Sequence, residues 1–157
     1  MGIEKDIQQD KFKSSHQKAG INIIYTASCM HLHTSHVLKQ FDLTPPQFNV
    51  LRILRGQFPK AITVNEIINR MLDKSSNASR IVEKLKAKEL INRKECEHDR
   101  RQVDVSITQK GLNILIEIDQ LEEKFAFGTG SLTNEEAEKL SALLDKGRLY
   151  LEKLNNK

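Results

Sequence analysis

Hydrophobic positions recur with the period of a helix over most of this chain. Apolar residues spaced three and four apart predict a long helix over residues 15–41. Three other helices open with a threonine cap, at Thr44, Thr63 or Thr133, that is followed three residues later by Gln or Glu, as in a capping box. A further helix is predicted over residues 75–88. One side of that helix carries the apolar residues Ala78, Ile81, Val82 and Leu85.

After this helix the hydrophobic period changes to that of a strand. Val103, Val105 and Ile107 alternate with polar residues, which is the pattern of a strand with one exposed face. Residues 90–96 supply a partner strand, so the two segments predict a β-hairpin. Two long helices lie within residues 109–155, the second being the one that opens at Thr133, and two glycines between them favour a break in the helix.

The order of these elements predicts a mainly α fold with a small β-hairpin wing, that is, a winged helix-turn-helix. The short helices and the hairpin form the winged unit, over residues 43–108. The long helices, over residues 15–41 and 109–155, have apolar stripes but little remaining chain to cover them. Because an amphipathic helix needs an apolar partner surface, we expect a homodimer of the single chain 1–157, formed through these terminal helices.

Composition and charge narrow the possible partners. Hydrophobic residues make up 38% of the chain and charged residues 29%, which is typical of a globular protein. No apolar run is long enough for a bilayer, and the polar N-terminus does not resemble a signal peptide, so we expect a cytoplasmic protein with no membrane partner. The net charge is +4, and residues 70–110 alone hold eleven Lys or Arg against seven Asp or Glu. This local excess favours an anionic partner.

The segment of residues 73–111 carries the strongest functional signal. A polar helix start, an amphipathic helix of a size that fits the major groove, and a basic hairpin follow one another along it. This is the combination with which a winged helix-turn-helix holds DNA.

These features resemble the MarR family (multiple antibiotic resistance regulators) of dimeric winged-helix transcription factors. The residues that carry the resemblance are Ser-Arg-Ile-Val at 79–82, Asp-Arg-Arg at 99–101, Thr-x-x-Gly at 108–111, and Thr-Pro-Pro-Gln-Phe at 44–48. The chain departs from the family pattern at Glu89, where a glycine is usual before the first wing strand. Such a position often needs a positive φ, which a non-glycine residue rarely adopts.

The resemblance implies that helix 75–88 enters the major groove of double-stranded DNA with a palindromic operator sequence. Short polar side chains in its first turn, and two cations one turn apart, are then the candidate contacts to bases and phosphates. These candidates are Ser75, Ser76, Asn77, Ser79, Arg80 and Lys84. The structural alternative is a capped helix start followed by solvated charges.

The resemblance also assigns roles to the tip of the hairpin. Arg100 and Arg101 would reach the minor groove, where narrow A/T tracts concentrate negative potential. Asp99 would shape the wing and orient an arginine through an ion pair, because a carboxylate is repelled by phosphate. The implied function is repression that is relieved by an unknown small-molecule effector. Its pocket is expected where the first long helix meets the second predicted helix, which opens at Thr44, and the fifth, which follows the hairpin. No cofactor is implied.

A cysteine and histidine cluster on the first helix leaves alternatives open. Cys29, His33 and His36 share a helix face, and thiolate with imidazole is a ligand set suited to zinc or copper. The chain could therefore be a metal- or thiol-responsive regulator of the same fold. A winged-helix protein-interaction module is a separate alternative that does not depend on this cluster. A Cys29–His33 dyad could also serve an enzyme, but no third orienting group, glycine-rich loop or pair of acids accompanies it. We therefore predict that the protein is not an enzyme.

Overall fold

The structure is a computed structural model that describes residues 2–95, 103–125 and 128–155. Most of the described chain is helical, and three short strands complete it. The elements in chain order are α1 (Ile3–Asp6), α2 (Ser15–Lys39), α3 (Pro45–Arg55), β1 (Ile62–Thr63), α4 (Val64–Arg70), α5 (Ala78–Ala87), β2 (Ile91–Glu95), β3 (Val103–Ile107), α6 (Gln109–Phe125) and α7 (Asn134–Asn155).

The three strands form one antiparallel sheet in the order β1-β3-β2. The predicted hairpin is present as β2 and β3, with Ile91 opposite Ile107 and Arg93 opposite Val105. The sequence analysis did not predict β1, in which Ile62 lies opposite Val105. Two residues are too few to show an alternating pattern, so this strand is recognisable only from its partner.

One hydrophobic core holds the helices and the sheet of the winged unit together. The predicted buried side of α5 is confirmed, since Ala78, Val82 and Leu85 are buried and Ile81 packs against the core. The helices α3 and α4 and the sheet contribute most of the other buried side chains. The largest fully buried ones include Leu51, Leu54, Ile62, Ile67, Leu85, Leu90 and Leu115.

The helix boundaries differ from two of the predictions. The first long helix ends at Lys39 rather than at residue 41, because Asp42 adopts a φ of 53° and Leu43 donates its amide proton to the Leu38 carbonyl at 3.1 Å. This hydrogen bond is the helix-terminating bond of a Schellman motif. The helix predicted over residues 75–88 starts three residues later, at Ala78, and ends at Ala87.

The described residues form two compact units, one ending at Ile118 and one beginning at Asp119. The second unit contains α7, none of whose residues is buried. Within residues 2–95, 103–125 and 128–155, no helix is both long enough and apolar enough to cross a membrane. The mainly helical winged fold that the sequence predicts is confirmed.

Candidate nucleic-acid interface

The turn before α5 is fixed at both ends. Met71 is buried, and the next residue, Leu72, donates its amide proton to the side-chain oxygen of Asn49 on α3 at 3.0 Å. At the other end, Asn77 caps α5, and its Oδ1 accepts the amide proton of Arg80 at 3.0 Å. The start of α5 is thus anchored to α3 by a short, hydrogen-bonded segment.

The prediction that Ser75, Ser76 and Asn77 lie in the first turn of this helix is wrong. The Ser75 hydroxyl donates to Asp73 Oδ1 at 2.6 Å and the Ser76 hydroxyl to Asp73 Oδ2 at 2.8 Å, while the Ser75 amide donates to Oδ1 at 2.9 Å. The Asp73 carboxylate offers these groups local partners that compete with a helical turn. The hydrogen bonds from Ser75 and then Ser76 hold the pKa of Asp73 below its ordinary value of 3.8.

These bonds restrict what the polar side chains can offer a ligand. Because their protons point at Asp73, the Ser75 and Ser76 hydroxyls are left as acceptors. While it caps α5, the Asn77 side-chain amide has one lone pair of its Oδ1 left for a ligand. The nitrogen of that amide is the part left to donate.

The exposed side of α5 carries the other three candidates. Ser79, Arg80 and Lys84 are all exposed, and the last two lie one helical turn apart. Burial of the opposite side against the core therefore orients a hydroxyl and two cations away from the protein.

A pair that the sequence analysis missed joins α5 to the wing. Arg93 on β2 lies with its Nε 3.3 Å from Oε1 of Glu83 on α5. The two residues are ten positions apart on different elements, so no helical or strand period relates them. The remaining wing candidates, Asp99, Arg100 and Arg101, lie outside the described residues.

A cleft of about 240 Å³ opens beside this ion pair. Its walls come from the start of α4, from α5 and from the two wing strands. The residues that line it are Thr63, Val64, Asn65, Ser79, Val82, Glu83, Arg93 and Val103. This cleft adjoins Ser79 on α5 and differs from the pocket that the family resemblance implies at the first long helix.

The cysteine and histidine cluster does not assemble a metal site within the described part of the chain. No group of three or more His, Cys, Asp or Glu side chains there is arranged to hold an ion. Cys29 is exposed, and its thiol lies next to the Tyr25 hydroxyl one turn earlier on α2. The negative charges of Cys29 and then Asp6 raise the pKa of Tyr25 above its ordinary value of 10.0.

Comparison with known proteins adds to this geometry. The model of the MarR family matches residues 41–102. The transcriptional regulator MgrA of Staphylococcus aureus is 30% identical over 114 residues, which cover 73% of this chain and 76% of MgrA.

Two solved structures with bound DNA have the same fold. The MepR–DNA complex of S. aureus superposes with a TM-score of 0.74 at 23% identity and covers 90% of this chain and 99% of MepR. A MarR mutant from E. coli in complex with operator DNA has a TM-score of 0.69 at 26% identity, over 81% of this chain and 91% of that one.

The relatives are transcription regulators, which confirms both the family resemblance and the prediction that the chain is not an enzyme. The protein is a transcription regulator of the MarR family.

Proposed function

We propose that this protein is a cytoplasmic, homodimeric repressor that binds a palindromic operator through α5 and is released by a small molecule. One observation carries the proposal most directly. The side of α5 that bears Ser79, Arg80 and Lys84 is exposed, while the opposite side is buried in the winged core. A helix that presents cations and a hydroxyl in this way is suited to the major groove, and the similar MarR mutant was solved with operator DNA.

Each candidate side chain has a defined part in this proposal. Arg80 pairs with a guanine through two hydrogen bonds, and Lys84 contacts a phosphate. The amide nitrogen of Asn77 donates to a phosphate oxygen. Ser75 and Ser76 act as acceptors, for which the exocyclic amino groups of adenine and cytosine are the available donors in the major groove.

The wing completes the interface. Arg100 and Arg101 enter the minor groove next to the helix, and Asp99 orients one of them. The described strands support this arrangement, because the Glu83–Arg93 ion pair ties the base of the wing to α5. The wing and the helix would then address neighbouring grooves as one unit.

Exposed apolar side chains on the long helices support the dimer. On α2, Ile24 is 69% exposed and Leu32 is 73% exposed, and α7 exposes leucines along its length. A second copy of the chain supplies the matching apolar surface for residues 15–41 and 109–155. Two-fold symmetry then places the recognition helices about one DNA turn apart (~34–36 Å), which is why the operator should be a palindrome.

The cleft beside α5 supports release by an effector. Its walls combine valines with polar side chains, among them Ser79 and the paired Glu83 and Arg93, so we expect it to accept a small molecule that has both apolar and polar groups. A molecule bound there lies next to Ser79 and lowers DNA affinity by competing for the same surface. Titration of small aromatic acids and phenols against the preformed DNA complex tests this part of the proposal.

The main test is selection of bound sequences from a random duplex pool at near-physiological salt. The wild-type chain should enrich a palindrome with half-sites one helical turn apart. Arg80→Ala should lose the preference for guanine at one position of each half-site, at a cost of about 1–3 kcal/mol. Lys60→Ala removes one positive charge from the exposed loop between α3 and β1 and serves as the control, with an unchanged motif.

The possible outcomes separate the competing functions. An Arg80→Ala motif identical to that of the wild type would contradict the base contact. Failure of the wild type to enrich any sequence, together with an affinity for DNA that does not fall with salt, would favour a protein-interaction module, because phosphate contacts release counterions and produce a steep salt dependence.

A further inference from the structure

The helices α2 and α5 both end with a non-glycine residue of positive φ. After α2, Asp42 has a φ of 53°, and the Leu43 amide donates to the Leu38 carbonyl at 3.1 Å. After α5, Glu89 has a φ of 61°, and the Leu90 amide donates to the Leu85 carbonyl, also at 3.1 Å. Glycine is the usual residue at this position of a Schellman motif, so both ends hold a side chain where it is unfavourable.

A lysine connects these two helix ends. Lys88, the C-cap of α5, reaches across to the turn after α2, where its Nζ donates to the Asp42 carbonyl and lies 2.9 Å from the Asp42 carboxylate. The ammonium group therefore satisfies both the backbone and the side chain of a left-handed residue. Only an acidic side chain at this position gives the ammonium group an ion pair in addition to the bond to the backbone carbonyl.

A second lysine connects the end of α5 to the start of α6. Lys110 Nζ donates to the Lys88 carbonyl at 3.0 Å and lies 3.1 Å from Oε2 of Glu89. The Thr108 hydroxyl donates to the Glu89 carbonyl at 2.9 Å. We call this connected set of five residues the lysine clasp, and its members are Asp42, Lys88, Glu89, Thr108 and Lys110.

The clasp is poorly placed to serve stability alone. The Asp42 side chain is 93% exposed, and exposed ion pairs contribute little to the free energy of unfolding. What the clasp does is fix the C-terminal end of α5 to the helices before and after the winged unit. These contacts join the C-terminal end of α5 to the turn after α2 and to the start of α6, in addition to the packing of α5 in the core.

We propose that Asp42 and Lys88 are positioning residues for DNA binding, which hold α5 at the angle that the operator requires. The inference rests on the proposed function, in which the start of α5 enters the major groove. Lys88 lies at the opposite end of the helix from Asn77, about 16 Å along the axis. Its effect on binding is therefore exerted through the orientation of α5 and not through contact with DNA.

Substitution of Asp42 separates this role from a direct contact of Lys88 with phosphate. If Lys88 bound phosphate, Asp42→Asn would free its ammonium group and remove a negative charge, so DNA affinity would rise. If the clasp positions α5, the same substitution lowers affinity. Asparagine tolerates the left-handed conformation, so this variant keeps the turn while it removes the ion pair.

The experiment measures the affinity of the full-length chain for the duplex that the wild type selects, by fluorescence anisotropy over a series of salt concentrations. Asp42→Asn and Lys88→Met should each weaken binding about three- to tenfold. The double variant should bind no more weakly than the weaker single variant, because both substitutions break the same contact. Lys88→Arg, which can still donate to both acceptors, should restore affinity to near that of the wild type.

Two controls complete the design. Lys60→Met makes the same change of charge at an exposed position between α3 and β1, outside the clasp, α5 and the terminal helices, and should leave affinity unchanged. The slope of log affinity against log salt should be the same for Lys88→Met and the wild type, whereas loss of a phosphate contact lowers it by about one. Circular dichroism confirms that each variant is folded at the temperature of the assay.

Three results would overturn the inference: a higher or unchanged affinity of Asp42→Asn, additive losses in the double variant, or a lower salt slope for Lys88→Met. Each is distinguishable from failure of the proposed function. If the wild type selects no duplex, the proposed function fails, whereas selection by the wild type with unaffected variants removes only the role of the clasp.

Discussion

The winged unit and the last helix use their apolar residues in opposite ways. In α5, three of ten residues are buried in the core, and they include Leu85 at 0% exposure. In α7, none of 22 residues is buried, and Leu143 is 59% exposed. Both helices are amphipathic, so sequence pattern alone does not distinguish them. The difference is that α5 has its covering surface within the winged unit, whereas the leucines of α7 are exposed in the single chain, and the proposed dimer would cover them.

The largest expected effect is the loss of stability when the buried Leu85 is truncated, compared with truncation of the exposed Leu143. Leu85→Ala leaves a cavity in a close-packed core and should lower the free energy of unfolding by about 2–5 kcal/mol. Leu143→Ala should change it by less than about 0.5 kcal/mol in dilute monomer, because the side chain is already largely exposed. Urea unfolding followed by circular dichroism measures both values.

Measuring stability at several protein concentrations tests whether a second copy of the chain covers α7. If a second copy covers α7, Leu143→Ala also lowers the concentration-dependent part of the stability and weakens self-association in sedimentation experiments. Equal losses for the two alanine variants at low concentration would contradict the distinction between the winged unit and α7.

A smaller effect is expected from two capping boxes of the same geometry. The amides of Glu66 and Glu136 each donate to a threonine hydroxyl at 3.2 Å, and the threonine amides each donate to the glutamate carboxylate at 2.9 Å. Thr63→Ala should cost about 1 kcal/mol of global stability, because α4 is part of the core. Thr133→Ala should instead reduce amide-exchange protection at the start of α7, with little change in the global unfolding midpoint.

Lowering the pH tests whether the Glu66 carboxylate contributes to the capping box at Thr63. Donation from the Thr63 amide and then its hydroxyl holds the pKa of Glu66 below its ordinary value of 4.5. The box therefore stabilises the fold above that value, and this contribution is lost as the pH falls through the lower pKa of the folded state. The penalty of Thr63→Ala should consequently be smaller at pH 3 than at pH 7. A penalty that does not depend on pH would show that the carboxylate has no part in it.

The smallest expected effect is a gain in stability. Glu89 holds a φ of 61° without the freedom of glycine, and its ion pair with Lys110 is exposed. Glu89→Gly should therefore raise the free energy of unfolding by about 0.5–1 kcal/mol. Glu89→Ala removes the carboxylate but keeps the strained backbone, so it should give no such gain. Equal effects of the two substitutions in thermal unfolding would rule out the backbone as the cause.

The sequence predicted what depends on neighbours in the chain. The glutamate partners of Thr63 and Thr133 and the alternation of the wing strand follow from spacing. The positive φ at Glu89 was implied by the family resemblance, because the family usually has a glycine there. The start of α5 was predicted less well. Ser75, Ser76 and Asn77 are all good caps, and only the position of Asp73 decides among them.

Ion pairs between residues far apart in the sequence could not be predicted from the periodic pattern of hydrophobic and polar positions. Asp42 and Lys88 are 46 positions apart, and nothing in a helical or strand period relates them. The same holds for Glu83 and Arg93, although each lies within the region that the charge distribution identified. Roles for the wing residues Asp99, Arg100 and Arg101 stay predictions.

Thr63 has a further consequence for how this protein could transmit a signal. It is the last residue of β1, opposite Asp104 of β3, and it is also the N-cap of α4. There is no spare residue between sheet and helix, so the hinge that a loop would provide is absent at this point. We therefore expect a tilt of the wing strands to change the angle of α4 as well, because the two elements share Thr63. We likewise expect a ligand that changes the angle of one of these elements to change the angle of the other.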